Sequence, residues 1–273
     1  MSTLINGQHI DSVSALDRGL LFGDGLFETL AFMDGHCPLW DRHMDRLRRG
    51  AEILRIEAPE RGRLKDECRE LAGARGKRVI RLTLTRGTGG RGYWPDAGAP
   101  STRIVQRRDW PTGLDDAHRS GLKAITSTVQ LASQRLLSGL KHCNRLEQIL
   151  AAQECQARGA DEAVLFDQDG RVAEAISSNL LLRIGGQWRA PQSPSAVAGV
   201  GLAWLSETSP LGVCRASIDA TDLDQADAIL VINSVAGVRP LRQLDERELI
   251  IDEDCRQLQR HWNQTLIPPC DDC

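Results

Sequence analysis

The chain has 273 residues, with 34 Lys and Arg against 37 Asp and Glu, for a formal net charge of −3. This balance argues against a general nucleic-acid binder, which carries clustered basic excess, and no run approaches the roughly 18 apolar residues of a membrane span. With 41% apolar residues, the length suffices for one large domain or two modest ones that could bury a cofactor.

The opening residues have neither the basic start nor the apolar run of a secretion signal, and a cytoplasmic protein is expected. From there a short strand at Leu4-Ile5 turns at Asn6-Gly7, and an apolar run from Leu26 to Met33 ends at Asp34-Gly35; both dipeptides are turn signals between strands. Met44, Leu47, Ala51 and Leu54 recur at helical spacing, which predicts a helix over about 41–55. A second helix is expected near 60–74. Val79 to Thr85 then alternates as a strand, with Ile80, Leu82 and Leu84 on one face. A glycine-rich segment follows at 87–92, and another strand near 103–107.

Trp110-Pro111-Thr112-Gly113 has the composition of a linker. Beyond it the pattern predicts a strand near 122–130 and a helix over about 145–158, with Asn144 and Glu147 spaced as a reciprocal N-terminal cap. Next come a hairpin (162–166 and 171–175), strands at 179–184, 187–190, 213–219 and 228–233, a helix over 199–207 and a last helix over 252–265. Strands outnumber helices and come in hairpins. The expected architecture is therefore α+β, two domains with mostly antiparallel sheets and flanking helices: a small domain over 1–108, a linker over 109–114 and a larger domain over 115–273.

Eight cysteines, at 37, 68, 143, 155, 214, 255, 270 and 273, are scattered along the chain, which points to reduced thiols rather than a disulfide framework. Cys270 and Cys273 form the one close pair, without the second pair or His cluster of a zinc site, and no metal is expected. The basic residues are 30 Arg and only four Lys, at 65, 77, 123 and 141. A Lys retained in that background draws notice, because a desolvated amine can lose its proton and act as nucleophile or base, whereas guanidinium in effect cannot.

Lys141 lies among small and apolar residues just before a helix, a setting that suits Schiff-base chemistry, although local sequence alone favours a loop lysine that snorkels to solvent. The segment Arg86-Gly-Thr-Gly-Gly-Arg91-Gly-Tyr93 holds four glycines, two arginines and the single Tyr. It can grip carboxylates in forked geometry or serve as a flexible hairpin loop. Glu174, flanked by small and apolar residues, needs a partner if buried, either a neighbouring Arg or a protonated ring nitrogen. Ala198-Gly199-Val200-Gly201 and Asn233-Ser234-Val235-Ala236-Gly237 could each present backbone amides to a phosphate.

Together these residues resemble the fold-type IV pyridoxal-phosphate (PLP) enzymes, the group of branched-chain and D-amino-acid aminotransferases and aminodeoxychorismate lyases. The resemblance runs from Asp17-Arg18-Gly19 and Gly23-Asp24-Gly25-Leu-Phe27-Glu28-Thr29 through His43-Met-Asp-Arg46-Leu47 to Lys141, Glu174, Asn179, Gly199-Val200 and Ser234. The segments 86–93 and 139–148 are most similar to those of the lyases. The resemblance implies a homodimer in which PLP is held between the domains and bound covalently by Lys141. Arg46, Asn179, the amides of Gly199 and Val200, and Ser234 would be on the cofactor, and Glu174 on its pyridine nitrogen. Thr29 would join Lys141 in catalysis, and Arg91, Arg86, Tyr93 and Arg145 would meet the substrate. Two departures stand out: Arg145, where the aminotransferases carry Tyr, and Gly201, where they often carry a Thr. The implied reaction is conversion of 4-amino-4-deoxychorismate to 4-aminobenzoate and pyruvate. An aminotransferase on the same cofactor is the alternative, and a non-enzymatic carboxylate-binding protein the reading from a different class.

Overall fold

The computed structural model describes residues 2–266. The chain divides into two compact units, one of Met1–Trp110 with Leu140–Asn144, the other of Pro111–Gly139 with Arg145–Cys273. Lys141 therefore belongs to a short return segment that rejoins the first unit.

The first unit is a four-stranded antiparallel sheet in the order β1-β4-β3-β2, formed by β1 (Thr3–Ile5), β2 (Gly25–Met33), β3 (Lys77–Thr85) and β4 (Thr102–Asp109). Asn6 and Gly7 both take positive φ, 52° and 81°, which matches strand twist and closes Ile5 onto Gln8 as the Asn-Gly signal predicts. β2 and β3 pair from Gly25 opposite Thr85 to Met33 opposite Lys77. Alternation puts Leu26, Glu28, Leu30 and Phe32 on one face of β2, and Phe27 and Thr29 on the other. Helix α2 (Trp40–Leu54) lies against the first face, with Gly50 so close that a Cβ there would sit 2.9 Å from Leu26. Helix α3 (Arg61–Ala72) adds Leu64, Cys68 and Leu71 to the buried interior. Helix α1 (Arg18–Phe22), absent from the sequence expectation, is too short to show a period; Asp17 caps it by accepting a hydrogen bond from the Gly19 amide at 2.8 Å.

The second unit is a nine-stranded sheet, ordered β10-β9-β8-β11-β12-β5-β6-β7 with β13 beside β12. Its strands are β5 (Leu122–Leu131), β6 (Glu162–Asp167), β7 (Val172–Ala175), β8 (Asn179–Ile184), β9 (Gln187–Pro191), β10 (Cys214–Ala216), β11 (Ala228–Asn233), β12 (Gly237–Leu244) and β13 (Arg247–Glu248). The pairs β5/β6, β5/β12 and β9/β10 are parallel, and the others antiparallel. The helices are α4 (Leu114–Ser120), α5 (Leu146–Ala157), α6 (Val200–Thr208), α7 (Ala220–Gln225) and α8 (Glu253–Leu266). Leu180, Leu182, Ile229, Val231 and Leu241 lie in its core.

Three sequence expectations need correction here. α5 begins at Leu146 and the reciprocal cap does not form: Asn144 Nδ2 donates to the Gly23 carbonyl at 3.1 Å, while the Glu147 carboxylate accepts from the Ala132 amide at 2.8 Å. Both side chains serve distant backbone instead. The strand expected over 213–219 is only Cys214–Ala216, and β12 was missed because Gly237, Pro240 and two arginines break its alternation. No disulfide joins the six described cysteines. Cys270 and Cys273 lie outside the described residues. Among the described residues no His, Cys, Asp and Glu cluster is arranged to hold a metal, and no helix is long and apolar enough to cross a membrane.

Candidate active site

In the first unit, Leu140–Asn144 runs beside the start of β2. The Phe27 amide donates to the Lys141 carbonyl and the Cys143 amide to the Gly25 carbonyl, each at 2.9 Å. These bonds place Lys141 Nζ over the Phe27 ring, 4.7 Å from its centroid. The Arg81 guanidinium lies over the same ring at 4.0 Å, and Arg81 stands directly opposite Thr29 in the β2/β3 register. The Arg81 side chain makes no hydrogen bond or ion pair with the described residues. Burial, and then the charge of Arg108, hold its pKa below the usual guanidinium range. Sequence reading missed Arg81, because an Arg alternating with Ile80 and Leu82 reads as the solvated face of a strand.

On the opposite face, Glu28 is 1% exposed and accepts from His43 Nδ1 at 2.7 Å and from Arg46 Nε at 2.8 Å, with Arg46 NH2 closing the fork. Burial alone would raise the Glu28 pKa, but the charge and hydrogen bonds of Arg46 outweigh it, with help from His43, and the carboxyl falls to about 2. Burial also pushes the His43 pKa down despite Glu28, so the ring is neutral at pH 7. Arg46, expected on the cofactor phosphate, is thus oriented by a buried carboxylate that the sequence reading quoted only as part of a motif.

The glycine-rich loop separates the two arginines expected at the substrate. Arg86 Nε and NH2 donate to the Asp24 carboxylate at 2.7 and 3.1 Å, NH2 also to the Leu54 carbonyl at 2.7 Å, and NH1 to the Arg55 carbonyl at 2.8 Å. Four of its five N–H donors are committed to the fold. These bonds tie Arg86 to Asp24 and to the end of α2. Arg91 and Tyr93 are exposed. Their loop is held by the buried Arg18, whose NH1 donates to the Gly92 carbonyl at 2.8 Å and NH2 to the Tyr93 carbonyl at 3.3 Å.

In the second unit, Glu174 is 5% exposed on β7; it accepts from the Val197 amide at 2.8 Å and from Gln148 Nε2 at 3.3 Å. Glu162, its pKa raised by burial, takes the Ile176 amide at 2.9 Å and holds the turn that follows. Asn179 Nδ2 donates to the Val197 carbonyl at 3.0 Å, and a Cβ on Gly199 would lie 1.6 Å from Asn179 Oδ1. Gly199 is the N-cap of α6, so the first amides of that helix meet no capping side chain from it. The Asn233 carboxamide oxygen accepts the Val235 and Ala236 amides at 3.1 and 2.7 Å, shaping the turn that carries Ser234. Arg145, half-buried, occupies the N-cap position of α5.

Each unit thus gathers a set of groups with one kind of chemistry: an amine and a cation on an aromatic ring in the first, a buried carboxylate near amides without side-chain caps in the second. The family described as Amino-transferase class IV matches residues 25–244. The chain belongs to the class IV aminotransferase family. It is 28% identical over 266 residues to an aminodeoxychorismate lyase of Vibrio harveyi, covering 96% of this chain and 98% of that one. It is 26% identical over 257 residues to a D-alanine aminotransferase of Bacillus licheniformis, covering 90% and 89%. The solved 4-amino-4-deoxychorismate lyase of Pseudomonas aeruginosa superposes with a TM-score of 0.90 at 37% identity, covering 97% of this chain and 99% of that one.

This class IV protein has the fold-type IV architecture, and the family uses PLP. The residues present fit that cofactor. The cradle at Gly199 closes if any Cβ is added, and the Gln148 side-chain oxygen beside Glu174 is buried without a hydrogen-bond partner among the described residues. A doubly charged phosphate suits the N-terminus of α6, and a protonated ring nitrogen suits Glu174.

Proposed function

We propose that this PLP-dependent enzyme is a homodimeric lyase that converts 4-amino-4-deoxychorismate to 4-aminobenzoate and pyruvate. The observation that carries this reading is the cationic face of the first unit, where Lys141 and Arg81 share the Phe27 ring and, among the described residues, no acidic side chain pairs with Arg81. A substrate bearing an amine and two carboxylates suits that face. The similarity to the V. harveyi and P. aeruginosa lyases over nearly the whole chain supports it.

The conversion balances without a co-reactant. The carbon–oxygen bond to the enolpyruvyl group breaks, one proton leaves the carbon that bears the amine, and one proton is delivered to the departing enolpyruvate. When bound, PLP supplies an electron sink for that carbon. Lys141 would hold the cofactor through its amine, and the same amine would take the proton. Glu174 would keep the pyridine nitrogen protonated, which strengthens the sink. Arg46, Ser234 and the Gly199 and Val200 amides would grip the phosphate, and Asn179, bonded to the Val197 carbonyl, would fix the loop that presents those amides. Arg81 and Arg91 would bind the two carboxylates, Tyr93 and Arg145 would meet the substrate, and Thr29, opposite Arg81 in the sheet, would donate the final proton.

The test is release of 4-aminobenzoate, followed by its fluorescence, when PLP-loaded protein meets enzymatically generated substrate. Similarity to the D-alanine aminotransferase favours the second reading, an aminotransferase. Turnover of D-alanine to its oxo acid with no 4-aminobenzoate formed would decide for it.

A further inference from the structure

Gly201, the second residue of α6, departs from the Thr often found at its counterpart in the aminotransferases. Its reason lies on another helix. A Cβ on Gly201 would sit 2.9 Å from Cη2 and 3.2 Å from Cζ3 of Trp262, a 5% exposed residue of α8. The opposite edge of the same indole meets Gly237, where a Cβ would lie 2.8 Å from Nε1 and 3.0 Å from Cδ1. Gly237 closes the turn that carries Ser234 and has φ of +66°. One rigid ring therefore touches both segments that offer phosphate ligands, the start of α6 and the turn 233–237.

The ring is itself held. Trp204 of α6 meets it edge-on at 5.4 Å between centroids. On the adjoining turn of α8, Gln259 Nε2 donates to the Val238 and His118 carbonyls, each at 3.1 Å. We infer that Trp262 is a positioning residue for the cofactor phosphate: its indole sets the spacing between the α6 amides and the Ser234 turn, and the two glycines exist to admit it. A side-chain hydroxyl at 201 is thereby exchanged for fixed backbone amides. The inference rests on the family's use of PLP and on the phosphate roles proposed for these two segments. It does not depend on the lyase reading.

The experiment compares two probes on the full chain, PLP and pyridoxal, which lacks the phosphate. Equilibrium binding is followed by absorbance for the wild type, Gly201→Ala, Trp262→Phe and the double variant. Gly201→Ala is expected to weaken PLP about tenfold, the scale of one charged hydrogen bond, while pyridoxal changes less than about twofold. Trp262→Phe removes the ring edge that the new methyl meets, so the double variant should bind PLP no worse than Trp262→Phe alone. A PLP-to-pyridoxal affinity ratio in Gly201→Ala within about twofold of the wild type would overturn the inference, as would parallel loss of both probes. Strictly additive effects in the double variant would overturn it too. A wild type that binds PLP no better than pyridoxal would overturn the phosphate site as a whole, whatever substrate the enzyme takes.

Discussion

Replacing Glu28 by Gln tests the buried fork that orients Arg46. The substitution keeps the shape and removes the charge. The carboxyl pKa of about 2, against an ordinary 4.5, corresponds to about 3 kcal/mol of folding stability at neutral pH. Because the folded value is depressed, that contribution is present above the unfolded pKa and is lost as pH falls toward 2; near pH 3.5 about 2 kcal/mol remains. His43 acts in the same sense. Its folded pKa lies below 6.5, so the unfolded chain takes up a proton first as pH falls, and stability drops below that value in wild type and variant alike. Denaturant unfolding of cofactor-free protein, read by tryptophan fluorescence at pH 7, 5 and 3.5, should therefore give a wild-type advantage of about 3 kcal/mol at pH 7 that shrinks to about 2 at pH 3.5. A gap below about 1 kcal/mol at pH 7, or one that does not narrow on acidification, would refute the reasoning.

The loop arginines should separate by type of effect. Arg86→Ala, which strips four hydrogen bonds including a largely buried ion pair with Asp24, should cost about 3 kcal/mol of stability, seen as a lower denaturation midpoint. Arg81→Ala and Arg91→Ala should change stability by less than about 1 kcal/mol and raise KM at least about tenfold, measured by initial rates of 4-aminobenzoate release. Lys141→Ala should abolish the lysine-dependent visible band of the PLP-loaded protein. Glu174→Gln should retain the cofactor but lower kcat by about 10²-fold, checked by single-turnover kinetics with PLP saturating. Gly199→Ala should lose PLP affinity, and Asn179→Gly in the same chain should recover part of it, because the clash is with the Asn179 side chain.

Much of the fold was legible because the alternation of β3, the apolar run and turn signal of β2, and the helical spacing of α2 survive in the structure. What failed had local causes. α1, α4 and α7 have seven residues or fewer, too few to establish a period. The cap at α5 was misread because Asn144 and Glu147 found better partners far along the chain, the Gly23 carbonyl and the Ala132 amide. Arg86 and Arg91 look equivalent in a glycine-rich loop, and nothing local says that Asp24 occupies one of them.

The sequence by itself determined the chemical inventory: a rare lysine in a small-residue setting, a carboxylate among apolar neighbours, and two glycine-containing segments able to offer amides. Chemistry of that kind resides in residue type and local spacing. Tertiary structure decided what each group faces. The return of residues 140–144 along β2 set Lys141 and Arg81 on one aromatic ring, and the buried Glu28 aimed Arg46. Trp262 fixed the need for glycine at 201 from 61 residues away. Burial, ion pairing and close approach are properties of neighbours in space, and neighbours far apart in the chain leave no trace in the pattern around either one.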